Sequence, residues 1–149
     1  MESLDYYKRL KFLKLFSSER RRDRYLVLYI FKILQGKVPN PGISYKYSPR
    51  RGKVLIMPPV KSSKSSFAGT LYHHSFNRRA PRIFNALPKE IRNLPNDSSP
   101  ELIKRRLDKF LNCIPDEPRL PGYLPTNSAE SNRLEDQIRA TEFLHKDHN

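Results

Sequence analysis

Thirteen prolines, all between positions 39 and 125, decide which parts of this 149-residue chain can be helical. A proline inside a helix removes a backbone donor and crowds the preceding turn, so long helices belong in the gaps. The first gap is the most informative. Residues 17–36 carry a full set of helix signals: Ser17 and Ser18 as N-cap candidates, Glu19 at the positive end, Gly36 as a left-handed terminator and Pro39 as a stop. At 100° per residue the expected core arc is Tyr25, Leu26, Tyr29, Ile30, Ile33 and Leu34. The opposite arc holds Arg20, Arg21, Arg24 and Lys32, but also Leu28 and Phe31. Such a helix belongs either at the centre of a bundle or against a domain outside this chain.

The remaining segments are shorter. Residues 3–14 predict a helix with Tyr6, Leu10 and Leu13 as one apolar stripe, and 37–52 read as a connector. KVLIMP at 53–58 and LYHHSF at 71–76 are expected to pair as a ribbon across a Ser-rich loop. In RAPRIFNALPKEIRNL, residues 79–94, Pro81 is expected in the first turn of a helix running from Arg82 to Leu87. Pro88 ends that helix, and Asn85 is expected to tie the turn's own backbone. Ser98 to Glu101 spell a capping box for a helix from Pro100 to about residue 113, with Leu102, Ile103, Leu107, Phe110, Leu111 and Cys113 on its apolar side. PDEPRLPGYLP then has a linker composition, and a helix at 129–145 has few apolar residues to anchor it.

The fold class that follows is mainly α. A small helical domain of about four helices, residues 1–114, carries a minor two-stranded β-ribbon, and residues 115–149 form a disordered acidic tail. Apolar residues make up 37% and the mean hydropathy is −0.74, so the core must be small.

Charge narrows the function. The net charge is +14, and residues 1–53 hold 14 Lys/Arg against 4 acids, residues 54–113 hold 11 against 4, and residues 114–149 hold 4 against 7. The basic character belongs to the body, which favours a polyanion because Lys and Arg release condensed counterions from phosphates. Three arginine clusters stand out: Arg20, Arg21, Arg22 and Arg24 at a helix start; Arg50, Arg51 and Lys53 around a glycine; Arg78, Arg79 and Arg82 entering the proline-framed segment. Arginine suits bidentate phosphate contacts, whereas each cluster taken alone could be a solvated face. Tyr45, Tyr47, Phe67 and Tyr72 could stack on bases or simply pack.

Enzymatic chemistry has little to stand on. The chain has no Gly-rich phosphate loop, no His-Glu-x-x-His, no Gly-x-Ser-x-Gly and no closely spaced Asp pair in its body. His73 and His74 are adjacent in an expected strand and would face opposite ways. Cys113 is the only cysteine, which excludes an intramolecular disulfide and favours a buried structural thiol. No metal, cofactor, small-molecule substrate or membrane partner is expected. With no apolar run of 18 residues and no signal-peptide core, the chain is expected to be intracellular, in the cytoplasm or nucleus.

Two stretches carry a resemblance. RLKFLKLFSSERRRDRYLVLYIFKILQGKVPNP, and SFNRRAPRIFNALPKEIRNL followed by SPELIKRRLDKFL, resemble the region beyond the polymerase core in reverse transcriptases of jockey-like non-LTR (LINE-type) retrotransposons. The matching residues are Arg21, Arg22, Tyr29, Lys32, Ile33, Leu34 and Gly36 in the first stretch, and Arg79, Arg82, Phe84, Asn85, Leu87 and Pro88 in the second. Trp usually stands where this chain has Phe84, which keeps the packing and removes an indole donor. The aromatic-Ala-Asp-Asp palm motif of that family is absent. The resemblance implies a non-catalytic, thumb-like C-terminal piece of an RNA-directed DNA polymerase. Its partners would be RNA or an RNA/DNA duplex and a palm domain. A pure docking module for the polymerase core, or an inert relic of a truncated element, would carry the same motifs.

Overall fold

The computed structural model describes residues 5–58, 75–118 and 132–146. They form a mainly helical protein with one two-stranded antiparallel sheet. In chain order the elements are α1 (Tyr6–Leu13), α2 (Ser18–Leu34), β1 (Tyr45–Ser48), β2 (Gly52–Leu55), α3 (Phe76–Ala86), α4 (Lys89–Arg92), α5 (Pro100–Leu111) and α6 (Leu134–Lys146). Two compact units emerge: residues 1–25 with 107–149, and residues 26–106. Both α2 and α5 contribute residues to each unit.

In the first unit, α1 is short and buries no residue. Its expected apolar stripe is therefore not a core face, for Tyr6 and Leu13 are 47% and 52% exposed. Asp5 caps it by accepting from the Lys8 N–H at 2.9 Å. Ser17 caps α2, its Oγ accepting from the Arg20 N–H at 3.1 Å. The buried apolar residues here are Leu107, Leu111, Ile114, Leu134 and Ile138, joined by buried Arg20 and Asp23.

The expected tail is part of this unit. Asp116 accepts from the Ser17 N–H and Oγ–H, each at 2.6 Å, and from Asn132 Nδ2 at 3.0 Å. The Pro115 carbonyl accepts from Arg20 Nη2 at 2.8 Å, and Lys11 pairs with Glu117 at 3.0 Å. Asp23 Oδ2 takes the Leu134 N–H at 3.0 Å, so an α2 carboxylate satisfies a free donor at the start of α6. Residues 119–131 of the expected linker lie outside the described residues. The flanking 115–118 and 132–146 do not behave as a loose tail: buried Leu134 and Ile138, and polar ties back to α2, hold them. Few apolar residues sufficed because hydrogen bonds supply the rest.

In the second unit, α2 closes as its sequence demands. Gly36 adopts φ +71°, its N–H bonds the Ile33 carbonyl and the Lys37 N–H bonds Lys32, the double bond pattern of a left-handed helix stop. The buried arc differs from the expected one. Val27, Ile30, Phe31 and Ile33 are buried, whereas Tyr25 is 65% exposed. Phe31 meets Phe84 edge-on at 5.7 Å, so the aromatic read as facing an absent domain is covered by this chain's own α3.

The ribbon also needs correction. β2 starts at Gly52 and takes in only the first three residues of KVLIMP, and its partner is β1, in the presumed connector, with Tyr45 opposite Leu55 and Tyr47 opposite Lys53. Residues 71–74 of the expected partner lie outside the described residues, and Phe76 begins a helix. A three-residue turn of Pro49, Arg50 and Arg51 is the closer solution, since a short loop costs less entropy than a long one. Gly52 completes that turn at φ +72°, and a Cβ there would sit 2.6 Å from Asn93 Oδ1. Gly52→Ala is therefore expected to lower stability by about 1–3 kcal/mol, through left-handed strain and displacement of Asn93. Chemical denaturation followed by far-UV circular dichroism measures the loss.

Pro81 lies inside α3 rather than in its first turn, because the helix starts earlier, at Phe76. The proline removes one internal bond, and buried Ala80, Ile83 and Phe84 on the same helix offset that loss. Pro88 caps the short α4, as a break between two helices. At α5 the cap is Ser99, not Ser98: its Oγ accepts from the Leu102 N–H at 3.2 Å, which puts Leu102 where the expected box needs Glu101, so the cap is a single serine bond and Pro100 takes the first helical position. Cys113 lies beyond the end of α5 and is exposed, not buried.

Candidate nucleic-acid interface

The motif Phe84 to Asn93 does something the sequence does not announce. β2 is a buried strand with only one strand beside it, so its far edge has no strand to pair with. Its backbone groups at residues 53 and 55 point away from β1, and left bare they would cost free energy or invite another chain. Side chains fill that place. The Leu55 N–H donates to Asn85 Oδ1 at 2.8 Å, and Asn85 Nδ2 returns a bond to the Leu55 carbonyl at 3.0 Å. The Lys53 N–H donates to Asn93 Oδ1 at 2.8 Å, and Arg92 Nη1 donates to the Lys53 and Arg51 carbonyls, both at 2.6 Å. Arg92 Nε also holds the Leu87 carbonyl at 2.8 Å. Asn85, Arg92 and Asn93 thus act as a third strand made of side chains. Asn85 ties β2, not the turn it sits in.

The hairpin presented by this clamp has two characters. β2 is buried throughout, and β1 is largely exposed. Tyr45 and Tyr47 project from one face of β1, 40% and 67% exposed, with ring centroids 5.9 Å apart. Lys53 Nζ lies 5.3 Å from the Tyr45 ring centroid and donates to Asn96 Oδ1 at 2.5 Å. Arg50 and Arg51 are exposed at the turn, and Arg51 Nη2 reaches the Asn85 carbonyl at 3.3 Å.

The ten basic candidates separate by burial and partner. Arg20 and Lys53 are corrections: both are fully buried, so neither is available to a surface ligand. Burial pushes the pKa of each below its usual value, and for Arg20 the neighbouring Asp116 and Asp23 carboxylates oppose that shift. Arg24 is half-buried and forms a two-pronged pair with Asp108, at 2.6 and 3.1 Å, which raises its pKa and neutralises its charge. Arg78, Arg79 and Arg82 are half-buried on α3, and Arg78 Nη1 donates to the Pro58 carbonyl at 3.3 Å. Arg21, Arg22, Arg50 and Arg51 remain exposed, and none makes an ion pair among the described residues. The first two belong to one unit and the last two to the other.

The motif residues named by resemblance are mostly structural. Phe84 and Leu87 are buried, Tyr29 meets Phe76 edge-on at 5.8 Å, Gly36 ends α2, Asn85 clamps β2 and Pro88 opens α4, while Lys32 is exposed. Arg92 and Asn93 were not singled out by the sequence, because an Arg-Asn pair ending a four-residue helix has no periodic or motif signal. Phe67, Tyr72, His73 and His74 lie outside the described residues. Among the described residues no group of three His, Cys, Asp or Glu could hold a metal ion, and no helix is long and apolar enough to cross a membrane.

No family model matches the chain, and neither a curated protein nor a solved structure matches it.

Proposed function

We propose that this chain is a non-catalytic nucleic-acid-binding module that grips the phosphate backbone of RNA or an RNA/DNA duplex. We further propose that it is the C-terminal part of a non-LTR retrotransposon reverse transcriptase, working beside a polymerase core. The observation that carries the first reading is the display of Arg21, Arg22, Arg50 and Arg51 without carboxylate partners among the described residues, in a body of strong positive charge. An exposed guanidinium with no carboxylate partner loses little on meeting a phosphate, for the long contacts of Arg21 to Ser18 and Arg51 to the Asn85 carbonyl are to neutral groups, unlike Arg24, which would first have to leave Asp108. The second reading rests on the order in the sequence of RLKFLKLFSSERRRDRYLVLYIFKILQGKVPNP, SFNRRAPRIFNALPKEIRNL and SPELIKRRLDKFL.

Fluorescence anisotropy with labelled RNA and a matched RNA/DNA duplex tests the module. Binding is expected to weaken with salt, with a log–log slope of about −3 if four phosphates are contacted. Reversing Arg21, Arg22, Arg50 and Arg51 together to glutamate should reduce affinity more than about 100-fold at low salt. Unchanged affinity in that variant would reject the reading. Phe12, Leu13 and Leu15, 67%, 52% and 58% exposed, favour a second reading in which α1 docks on a polymerase core. Co-purification with the palm domain of a related element distinguishes the two.

A further inference from the structure

We propose that the exposed Tyr47 ring on β1 is a base-stacking subsite, which gives the module a preference for single-stranded over double-stranded nucleic acid. The inference rests on the phosphate-binding reading and adds to it the form of nucleic acid recognised.

Tyr45 and Tyr47 are two residues apart on one strand, so both rings stand on the same face. They meet edge-on, with an interplanar angle of 84°. Tyr45 is fixed from two sides, by Lys53 Nζ near its ring and by Asn96 Nδ2 at 3.5 Å from its hydroxyl. It forms a wall, and Tyr47 stands beyond it with 67% of its surface in solvent. Packing accounts for Tyr45 and leaves most of Tyr47 unexplained.

The platform is rigid for reasons already described. β2 is clamped along its far edge by Asn85, Arg92 and Asn93, and Pro49 and Gly52 set the turn. A ligand ring stacking on Tyr47 would therefore meet a surface that needs little ordering. The chemistry around it selects the ligand. Arg50 and Arg51 follow three and four residues after Tyr47, exposed at the turn, so a planar group on the ring would bring its attached anions toward two guanidinium groups. A nucleobase carrying flanking phosphates fits that combination. Bases inside a duplex already stack on each other and offer only their edges, whereas a single strand can splay a base onto an aromatic face.

The test compares fluorescein-labelled oligo(U) with an RNA duplex of equal charge, binding to the full chain as wild type, Tyr47→Ala and Tyr47→Phe. The wild type should bind the single strand more tightly. Tyr47→Ala should weaken single-strand binding about tenfold and leave duplex binding and the salt slope nearly unchanged, whereas Tyr47→Phe should keep the preference because the ring remains. Circular dichroism of each variant checks that the fold persists, as expected for a side chain so exposed. Equal loss on both ligands, or no loss on either, would overturn the stacking subsite while leaving phosphate binding intact. Failure of the wild type to bind either ligand at low salt would overturn the phosphate-binding reading, and the subsite with it.

Discussion

Replacing Arg92 with methionine is expected to destabilise the unit formed by residues 26–106 by about 2–4 kcal/mol. Arg92 is 6% exposed, and its guanidinium donates to three carbonyls, those of Leu87, Arg51 and Lys53. Methionine keeps the bulk of the stem but leaves the acceptors at Leu87 and Lys53 buried without a donor. Part of the loss is offset, because the variant no longer buries a cation; burial lowers the Arg92 pKa, the nearby Arg51 adds to that effect and the Glu90 carboxylate opposes it. Arg92→Lys should fare little better. One ammonium cannot span three acceptors that lie around a planar fork. Urea denaturation of both variants checks this, and a lysine variant as stable as wild type would show that charge alone suffices. Hydrogen exchange adds a local readout: the Leu55 and Lys53 amides should lose protection first, since they share the clamped edge.

Asp116→Ala is the second large effect. The carboxylate accepts three hydrogen bonds, two from Ser17 and one from Asn132, and it sits at the start of α2, where a negative charge is favoured. Bonds to a charged acceptor contribute more than neutral ones, and the site is partly exposed, so a loss of about 2–4 kcal/mol is expected in the unit that joins the N- and C-terminal segments. Limited proteolysis should then cut faster in the C-terminal part of this unit, because Ser17 and Asn132 no longer share the Asp116 carboxylate. Asp116→Asn should recover only part of the loss, since the amide can accept from Ser17 but carries no charge to meet the helix start. A proteolysis pattern identical to wild type in Asp116→Ala would mean that buried Leu134 and Ile138 hold the segment by themselves.

The reach of the sequence follows from the range of the forces involved. α2 was legible at both ends because caps and terminators act within four residues: Ser17 at its start, Gly36 at its close. Pro100 at the head of α5 was legible for the same reason. The choice of strand partner was not, because LYHHSF and YKYS are both plausible β sequences and only the short Pro49–Gly52 turn separates them. The rotation of α2 was not legible at Tyr25 and Phe31, since periodicity defines an arc and the neighbours decide which edge of it is covered. Phe84 is the neighbour that covers Phe31.

Of the candidate interface, charge was legible and accessibility was not. Nothing in the text distinguishes Arg20 from Arg21, yet one points into the first unit toward the Pro115 carbonyl and the other into solvent. The same holds for Arg51 and Lys53 on either side of a glycine. RAPRIFNALPKEIRNL announced a proline-framed corner by itself, because proline restricts the backbone wherever it stands. Its sequence alone determined the helix breaks, the basic body and the absence of a palm motif. Only the tertiary structure decided that Asn85, Arg92 and Asn93 complete the edge of β2 and that Tyr47 is left standing clear. The reason is physical: a hydrogen bond between residues 30 or 40 apart depends on where the chain brings them, and no local propensity encodes that meeting.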